Sequence, residues 1–199
     1  MFKDSGLAPQ QSGYTLKDYK VKPGCEEMFK EVEKYLAGIM EIYNLEDSSK
    51  GIALTGSVGT GKTMLAAIIA NKFLEHRIPV AFVVTLDLMS ELRAAQFAEA
   101  NDLEERIKKL TTIPVVIFDD VGKEKPTEWV QNQYFRIIDG RYRRNLTTIF
   151  TSNLGFKELA KIFDTAVISR LFELTKGRQV EVKAKDYRKF GKTAISEPA

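Results

Sequence analysis

Residues 51–65 read Gly-Ile-Ala-Leu-Thr-Gly-Ser-Val-Gly-Thr-Gly-Lys-Thr-Met-Leu, and this stretch decides the fold. Gly51–Thr55 is a short β-rich run, and a helical pattern starts near Lys62. Between them, Gly56, Ser57, Val58, Gly59, Thr60, Gly61, Lys62 and Thr63 satisfy G-x-x-x-x-G-K-[ST] in the strand-to-helix setting that this pattern requires. The glycines let the backbone curl so that its N–H groups point inward at phosphate oxygens. The N-terminus of the following helix adds partial positive charge at the same place. Lys62 is expected to reach the β- and γ-phosphates of ATP, and the Thr63 hydroxyl to ligate Mg²⁺.

Working outward, β-rich runs at Gly51–Thr55, Val80–Val84, Ile113–Phe118, Thr147–Thr151 and Gln179–Val182 alternate with helical patterns. The helices are expected to start near Lys62, Leu86, Thr127 and Lys157, with another over Thr165–Leu174. That alternation is the form of right-handed crossovers, hence of an α/β fold with a five-stranded parallel sheet. Upstream, apolar residues from Met28 to Tyr43 recur at three- and four-residue steps, which predicts one amphipathic helix entered through Lys22-Pro23-Gly24. The expected plan is an N-terminal extension over 1–45, an ATPase domain over 46–190 and a tail over 191–199. The first 20 or so residues read as loop.

Val115-Val116-Ile117-Phe118 is continuously apolar, as a central strand covered on both faces should be, and it ends in Asp119 and Asp120. An acid at the carboxyl edge of a parallel sheet faces the crevice where ligands of such sheets bind. Asp119 is therefore the expected magnesium ligand, the Walker B role. Asp120 either orients and deprotonates the attacking water or starts a solvated turn before Gly122. Thr147–Asn153 is a further strand ending in polar residues, and Asn153 either contacts the lytic water or the γ-phosphate, the sensor 1 role, or belongs to a helix-capping turn. Arg170 stands in the apolar helical run Val167–Phe172, where a charge needs an anionic partner. The partner is either a neighbouring subunit's γ-phosphate, making Arg170 an arginine finger, or Asp164 or Glu173 in a surface ion pair.

Composition narrows the class. Of 199 residues, 44% are hydrophobic and 29% charged, which excludes wholesale disorder. One cysteine, Cys25, excludes a disulfide framework within the chain, and it reads as a lone thiol in a polar loop. No apolar run approaches the roughly 20 residues that span a bilayer, and the N-terminus lacks a signal-peptide core. A cytoplasmic protein with no membrane partner is expected. A net charge of +3 does not by itself announce a nucleic-acid binder, so the placement of charge matters. Lys176–Lys192 holds seven basic residues (Lys176, Arg178, Lys183, Lys185, Arg188, Lys189, Lys192) against Glu181 and Asp186, and Arg136, Arg141, Arg143 and Arg144 form a second cluster. Either cluster neutralises DNA phosphates or is a solvated basic face. Tyr142 and Tyr187 nearby could stack on unpaired bases.

The ordered set Gly56–Thr63, Val-Ile-Phe-Asp-Asp-Val-Gly (116–122), Thr151-Ser152-Asn153-Leu154 and Ile168-Ser169-Arg170-Leu171-Phe172 resembles an AAA+ ATPase. More narrowly, it is similar to the bacterial and phage replicative helicase loaders of the DnaC/DnaI type, and close to IstB. Tyr14–Tyr19, Glu128–Arg143 and Asp186-Tyr187-Arg188 support that resemblance. It implies a three-layer P-loop sandwich that binds ATP or ADP with Mg²⁺, self-associates through the ATP site, binds single-stranded DNA and helps to place the replicative helicase on it. It also implies single-stranded DNA contacts on the helical stretch Leu86–Leu110, with Arg93, Lys108 and Lys109 as candidates. These three are equally well read as exposed charges balanced by Glu91, Glu99, Glu104 and Glu105.

The sequence departs from the family in two places. Loaders of this type carry an additional N-terminal domain that grips the helicase, whereas here about 50 residues precede the first strand. The chain is therefore read either as the ATPase core of a loader or as a short loader. Only 11 residues follow Arg188, so no C-terminal helical lid is expected. An IstB-like transposition helper acting on double-stranded DNA is the alternative. A small-molecule kinase or a non-hydrolysing nucleotide-binding module are the readings from other classes.

Overall fold

Five parallel strands form at the β-rich runs: β1 (Ala53–Gly56), β2 (Val80–Val84), β3 (Val115–Asp119), β4 (Thr147–Ser152) and β5 (Gln179–Val182). The structure, a computed structural model, describes residues 5–98 and 101–182. The strands make one sheet in the order β2-β3-β4-β1-β5. Because every pairing is parallel, all carboxyl ends lie at one edge, and the loops after β1, β3 and β4 meet there. Register fixes the details: Phe118 stands opposite Phe150, and Leu54 opposite Thr151.

Two short 3-10 helices (Pro9–Gln11 and Leu16–Asp18) and eight α-helices complete the described residues: α1 (Glu26–Ala37), α2 (Ile39–Tyr43), α3 (Lys62–Glu75), α4 (Thr85–Gln96), α5 (Asp102–Thr112), α6 (Glu128–Tyr142), α7 (Phe156–Leu159) and α8 (Thr165–Leu174). Strand side chains alternate between the two faces of the sheet. Ile52, Leu54, Val115, Ile117 and Ile149 share one core with α1 and α3. Ala53, Val116, Phe118 and Phe150 share the other with α4, α5, α6 and α8. Each fully buried aliphatic or phenylalanine side chain contributes roughly 1.5–3 kcal/mol, so these two layers dominate the stability.

Four expectations change in detail. The helix predicted over Glu26–Tyr43 is two helices, α1 and α2, divided at Gly38, whose amide caps α1 on the Lys34 carbonyl. The helical stretch Leu86–Leu110 is also two helices, and Asn101, with φ 83°, begins the second. Cys25 is not in a solvated loop: it is fully buried with Met28 and Tyr19 in the first core, and burial raises its thiol pKa. The early residues also pack rather than trail. Asn71 of α3 donates from Nδ2 to the carbonyls of Gln11 and Tyr14, and Met28, Val32, Tyr35 and Ile39 share the α3 core. Lys183, Lys185, Asp186, Tyr187, Arg188, Lys189 and Lys192, the 191–199 tail and the expected absence of a lid lie outside the described residues. No described helix is long and apolar enough to cross a membrane.

Candidate functional site

The loop after β1 takes its shape from glycines in the left-handed region. Gly56 has φ 117° and Gly61 φ 90°; a Cβ on Gly56 would stand 1.9 Å from the Val182 carbonyl oxygen, and one on Gly61 would meet the Tyr19 ring. Only glycine fits there. Gly61 hands the chain directly to α3, so the helix N-terminus and its unpaired amides open on the loop.

Lys62 is buried, and its ammonium donates to the carbonyls of Gly56 (2.7 Å) and Ser57 (2.8 Å) and to Asn153 Oδ1 (2.9 Å). Asn153 in turn donates from Nδ2 to Asp120 Oδ1. Thr63 donates its hydroxyl to the Asp119 carboxylate (3.0 and 3.1 Å), and Thr151 donates to Asp119 Oδ1 at 2.6 Å. The Asp120 amide donates to Thr151 Oγ1 at 2.9 Å, so Lys62, Thr63, Asp119, Asp120 and Asn153, chosen from three separate strand ends, are joined in one network of hydrogen bonds. Ser57, Val58, Gly59 and Thr60 complete the loop; Thr60 is buried, whereas the Val58 side chain is exposed. Val58, Gly59, Gly61, Lys62, Thr63, Asp120 and Asn153 line a cleft of about 620 Å³.

Electrostatics favour a cation here. Asp119 is buried, and that burial raises its pKa, opposed by the Thr151 and Thr63 hydroxyls. A carboxylate held out of water beside a threonine hydroxyl lacks a full counter-charge, and both groups are hard oxygen donors of the kind magnesium prefers. The residues therefore fit Mg²⁺. Asp120 adopts φ 64°, an uncommon backbone region for a residue with a side chain, and its carboxylate pairs with Lys123 at 3.1 Å.

Several residues in and around the site carried no local signal. Tyr19 donates its hydroxyl to the Thr60 carbonyl (2.7 Å), and Lys22 its ammonium to the Gly59 carbonyl (2.7 Å), so the N-terminal segment straps the phosphate loop from outside. Glu124 is buried, accepts from the Tyr134 hydroxyl and the Gly122 amide, and lies 3.2 Å from Thr85, whose hydroxyl also reaches the Asp120 carbonyl at 3.0 Å. A pairing of residues 35 and 39 positions apart follows from strand order, which no sequence window contains.

The arginines divide. Arg141, expected as a DNA contact, is fully buried: Nε donates to Thr148 Oγ1, and the two Nη atoms to the carbonyls of Leu110, Ile113, Pro114 and Thr147. That reading is corrected, because no face of this guanidinium meets solvent. Burial lowers its pKa to about 9, still well above neutrality. Arg143 is exposed and bonds Asp139. Arg93 is exposed over the Trp129 ring at 5.0 Å, and Lys108 and Lys109 are exposed on α5. Arg170 pairs with neither Asp164 nor Glu173; its Nε donates to Asp139 at 3.1 Å, and its guanidinium lies 4.1 Å from the Tyr142 ring centroid.

Comparison with known proteins agrees with this geometry. The family described as "IstB-like ATP binding protein" matches residues 15–194. The replicative helicase loader DnaI of Bacillus subtilis (strain 168) is 31% identical over 163 residues, which is 81% of this chain and 48% of DnaI. The replicative helicase loader DnaC of Escherichia coli (strain K12) is 22% identical over 170 residues, 85% of this chain and 67% of DnaC. The chain thus spans about half the length of the one and two-thirds of the other. Among solved structures, a crystal structure of DnaI superposes with a TM-score of 0.72 at 25% identity, covering 89% of this chain and 95% of that one. A DnaC helicase loader gives 0.73 at 24% identity, covering 88% of this chain and 100% of that one, and shows the shared fold. With the phosphate loop, the strand-end aspartate and the sheet order already in place, the match over residues 15–194 means that the chain belongs to the IstB-like ATP binding proteins, a family of AAA+ ATPases.

Proposed function

We propose that this chain is the ATPase core of a helicase-loader switch, which binds ATP with Mg²⁺, hydrolyses it in an oligomer and binds single-stranded DNA while the replicative helicase is placed. The observation that carries the reading is the hydrogen-bonded line Thr63–Asp119–Thr151 beside Lys62–Asn153–Asp120, which gathers the ends of β1, β3 and β4 into one crevice. Thr63 and Asp119 would hold Mg²⁺, which when bound neutralises charge on the phosphate oxygens. The loop amides of residues 56–63 and the Lys62 ammonium hold the triphosphate. Asp120 takes the proton of the attacking water, and Asn153, bonded to both Lys62 and Asp120, sets the distance between them. Arg170 acts in trans on a neighbour's nucleotide. Arg93, Lys108, Lys109 and Arg143 are the exposed cations for the DNA backbone. Helicase contact falls to a domain outside this chain or to the short N-terminal segment, and the compartment is the cytoplasm. The relatives named as helicase loaders support the reading.

The test is ATP turnover over a protein concentration series with and without single-stranded DNA. Turnover per chain should rise with both. A rate independent of concentration would remove the oligomer from the account. The family match also favours a second reading, an IstB-like helper acting on double-stranded DNA. Preferential retention of duplex over single strand in a filter-binding comparison would select it.

A further inference from the structure

Arg170 is held in an unusual way for an ion-paired arginine. Among the described residues its one hydrogen bond runs from Nε to Asp139 Oδ1, along one edge of the guanidinium, while the flat face lies on Tyr142. Among the described residues, neither Nη1 nor Nη2 donates a hydrogen bond. Asp139 itself is fixed: its side chain is only 6% exposed, and its second oxygen, Oδ2, is gripped by Nε and Nη2 of Arg143 one helical turn further on. Burial pushes the Asp139 pKa up, but the Arg143 and Arg170 bonds outweigh that and hold it below the usual carboxylate value. Tyr142 is on the same helix, so α6 supplies both the edge contact and the face contact to an arginine on α8.

A guanidinium carries five N–H groups in a rigid fork and binds phosphate best through two of them side by side. Anchoring by Nε and by the ring face uses the parts of the fork that a phosphate does not need. It also removes part of the rotamer freedom that a free arginine would lose on engaging its target. A carboxylate bonded to the terminal nitrogens would have occupied them; this one is placed at the other end.

We propose that Asp139 and Tyr142 are positioning residues that grip Arg170 by its Nε edge and its face, so that its two terminal nitrogens are presented to the phosphates of a nucleotide bound by a second copy of this chain. The proposal rests on the trans-acting reading of Arg170, and the experiment separates the two. ATP turnover at saturating ATP and high protein concentration is measured for Asp139→Asn, Tyr142→Leu, Tyr142→Phe and Arg170→Ala. Each is run alone and mixed with an equal amount of Lys62→Ala, which lacks the ammonium that holds the phosphates and binds ATP more weakly but carries an intact Arg170. Misplacing a catalytic group by an ångström costs up to about a hundredfold. Asp139→Asn and Tyr142→Leu should therefore lower kcat by about tenfold to a hundredfold, leave KM for ATP unchanged, and recover turnover on mixing. Tyr142→Phe, which keeps the ring, should turn over at the wild-type rate.

Wild-type kcat for Asp139→Asn and Tyr142→Leu, with Arg170→Ala impaired, overturns the positioning role and leaves the trans arginine standing. A loss in Asp139→Asn that mixing does not recover, while that of Arg170→Ala is recovered, overturns it too. An unimpaired Arg170→Ala overturns the trans reading itself. Should Asp139→Asn fail to fold, the contrast between Tyr142→Leu and Tyr142→Phe decides the matter.

Discussion

Arg141 and Arg170 sit in neighbouring helices, α6 and α8, the first in a basic cluster and the second in an apolar run, and the fold uses them against what those settings suggest. Arg141 is wrapped by the loop before β3 and by the start of β4, and all three of its nitrogens donate to neutral oxygens of the chain. Arg170 touches one carboxylate and one ring, and among the described residues its terminal nitrogens donate no hydrogen bond. A guanidinium saturated by carbonyls is committed to the scaffold, because removing it orphans buried acceptors. One anchored along a single edge is available to an anion. The partner set, not the residue type or its apolar neighbours, separates a structural arginine from a working one.

The largest effect that would break the comparison is catalytic. Arg170→Ala should lower stimulated turnover by about a thousandfold, with ATP affinity unchanged by equilibrium titration. Its cost in unfolding free energy should stay under about 1 kcal/mol, since the ion pair is partly exposed. Arg141→Met should do the reverse: urea denaturation should show a loss of about 3–5 kcal/mol, because five neutral oxygens of the chain lose their donor at about 1–3 kcal/mol for each one left buried and unpaired. Turnover per folded chain should hold. Equal stability losses in the two variants would erase the distinction.

Lys62→Ala comes next. Losing charge-assisted bonds worth about 1.5–3 kcal/mol should weaken ATP binding by up to about a hundredfold, with little change in folding. Smaller is Tyr19→Phe. Deleting a hydroxyl that holds the Thr60 carbonyl should cost about 1 kcal/mol and raise KM for ATP severalfold while kcat holds, since the strap shapes the loop without touching the reacting atoms.

The smallest effect is a pH dependence at Asp119. Its pKa is raised in the folded chain by burial, so between its ordinary value of 3.8 and the folded value the native state binds more protons than the unfolded one. Stability contributed by this group therefore falls as pH rises through that window. In the absence of Mg²⁺, Asp119→Asn should raise the melting temperature at neutral pH, and the gain should shrink as the pH is lowered through the same window. A variant that melts lower than wild type at pH 7 would show that the carboxylate is fully compensated by Thr63 and Thr151 alone.

Legibility followed the range of the interactions. The phosphate loop, Asp119 and Asn153 stand at strand ends, where a local motif and the rule that parallel strands share one carboxyl edge are enough to bring them together. The five strands were placed within two residues of their observed starts because runs such as Val115–Phe118 are apolar on both faces. Arg141 misled because a basic cluster looks the same whether it faces solvent or is folded under a loop. Asp139 enters the sequence reading only within Glu128–Arg143, with no role of its own, because its partner Arg170 is 31 positions away. The same holds for Tyr19, whose partner Thr60 is 41 positions on. Gly38 and Asn101 divided helices that periodicity alone joined, since a single left-handed or capping residue hardly disturbs an apolar repeat.

The most direct test of the central claim is a crystal structure grown with Mg²⁺ and a non-hydrolysable ATP analogue. The account predicts phosphates on the amides of residues 56–63, the metal between Thr63 and Asp119, and Lys62 turned from the Gly56 and Ser57 carbonyls toward the phosphates. Nucleotide bound elsewhere, with Lys62 still on those carbonyls, would contradict it.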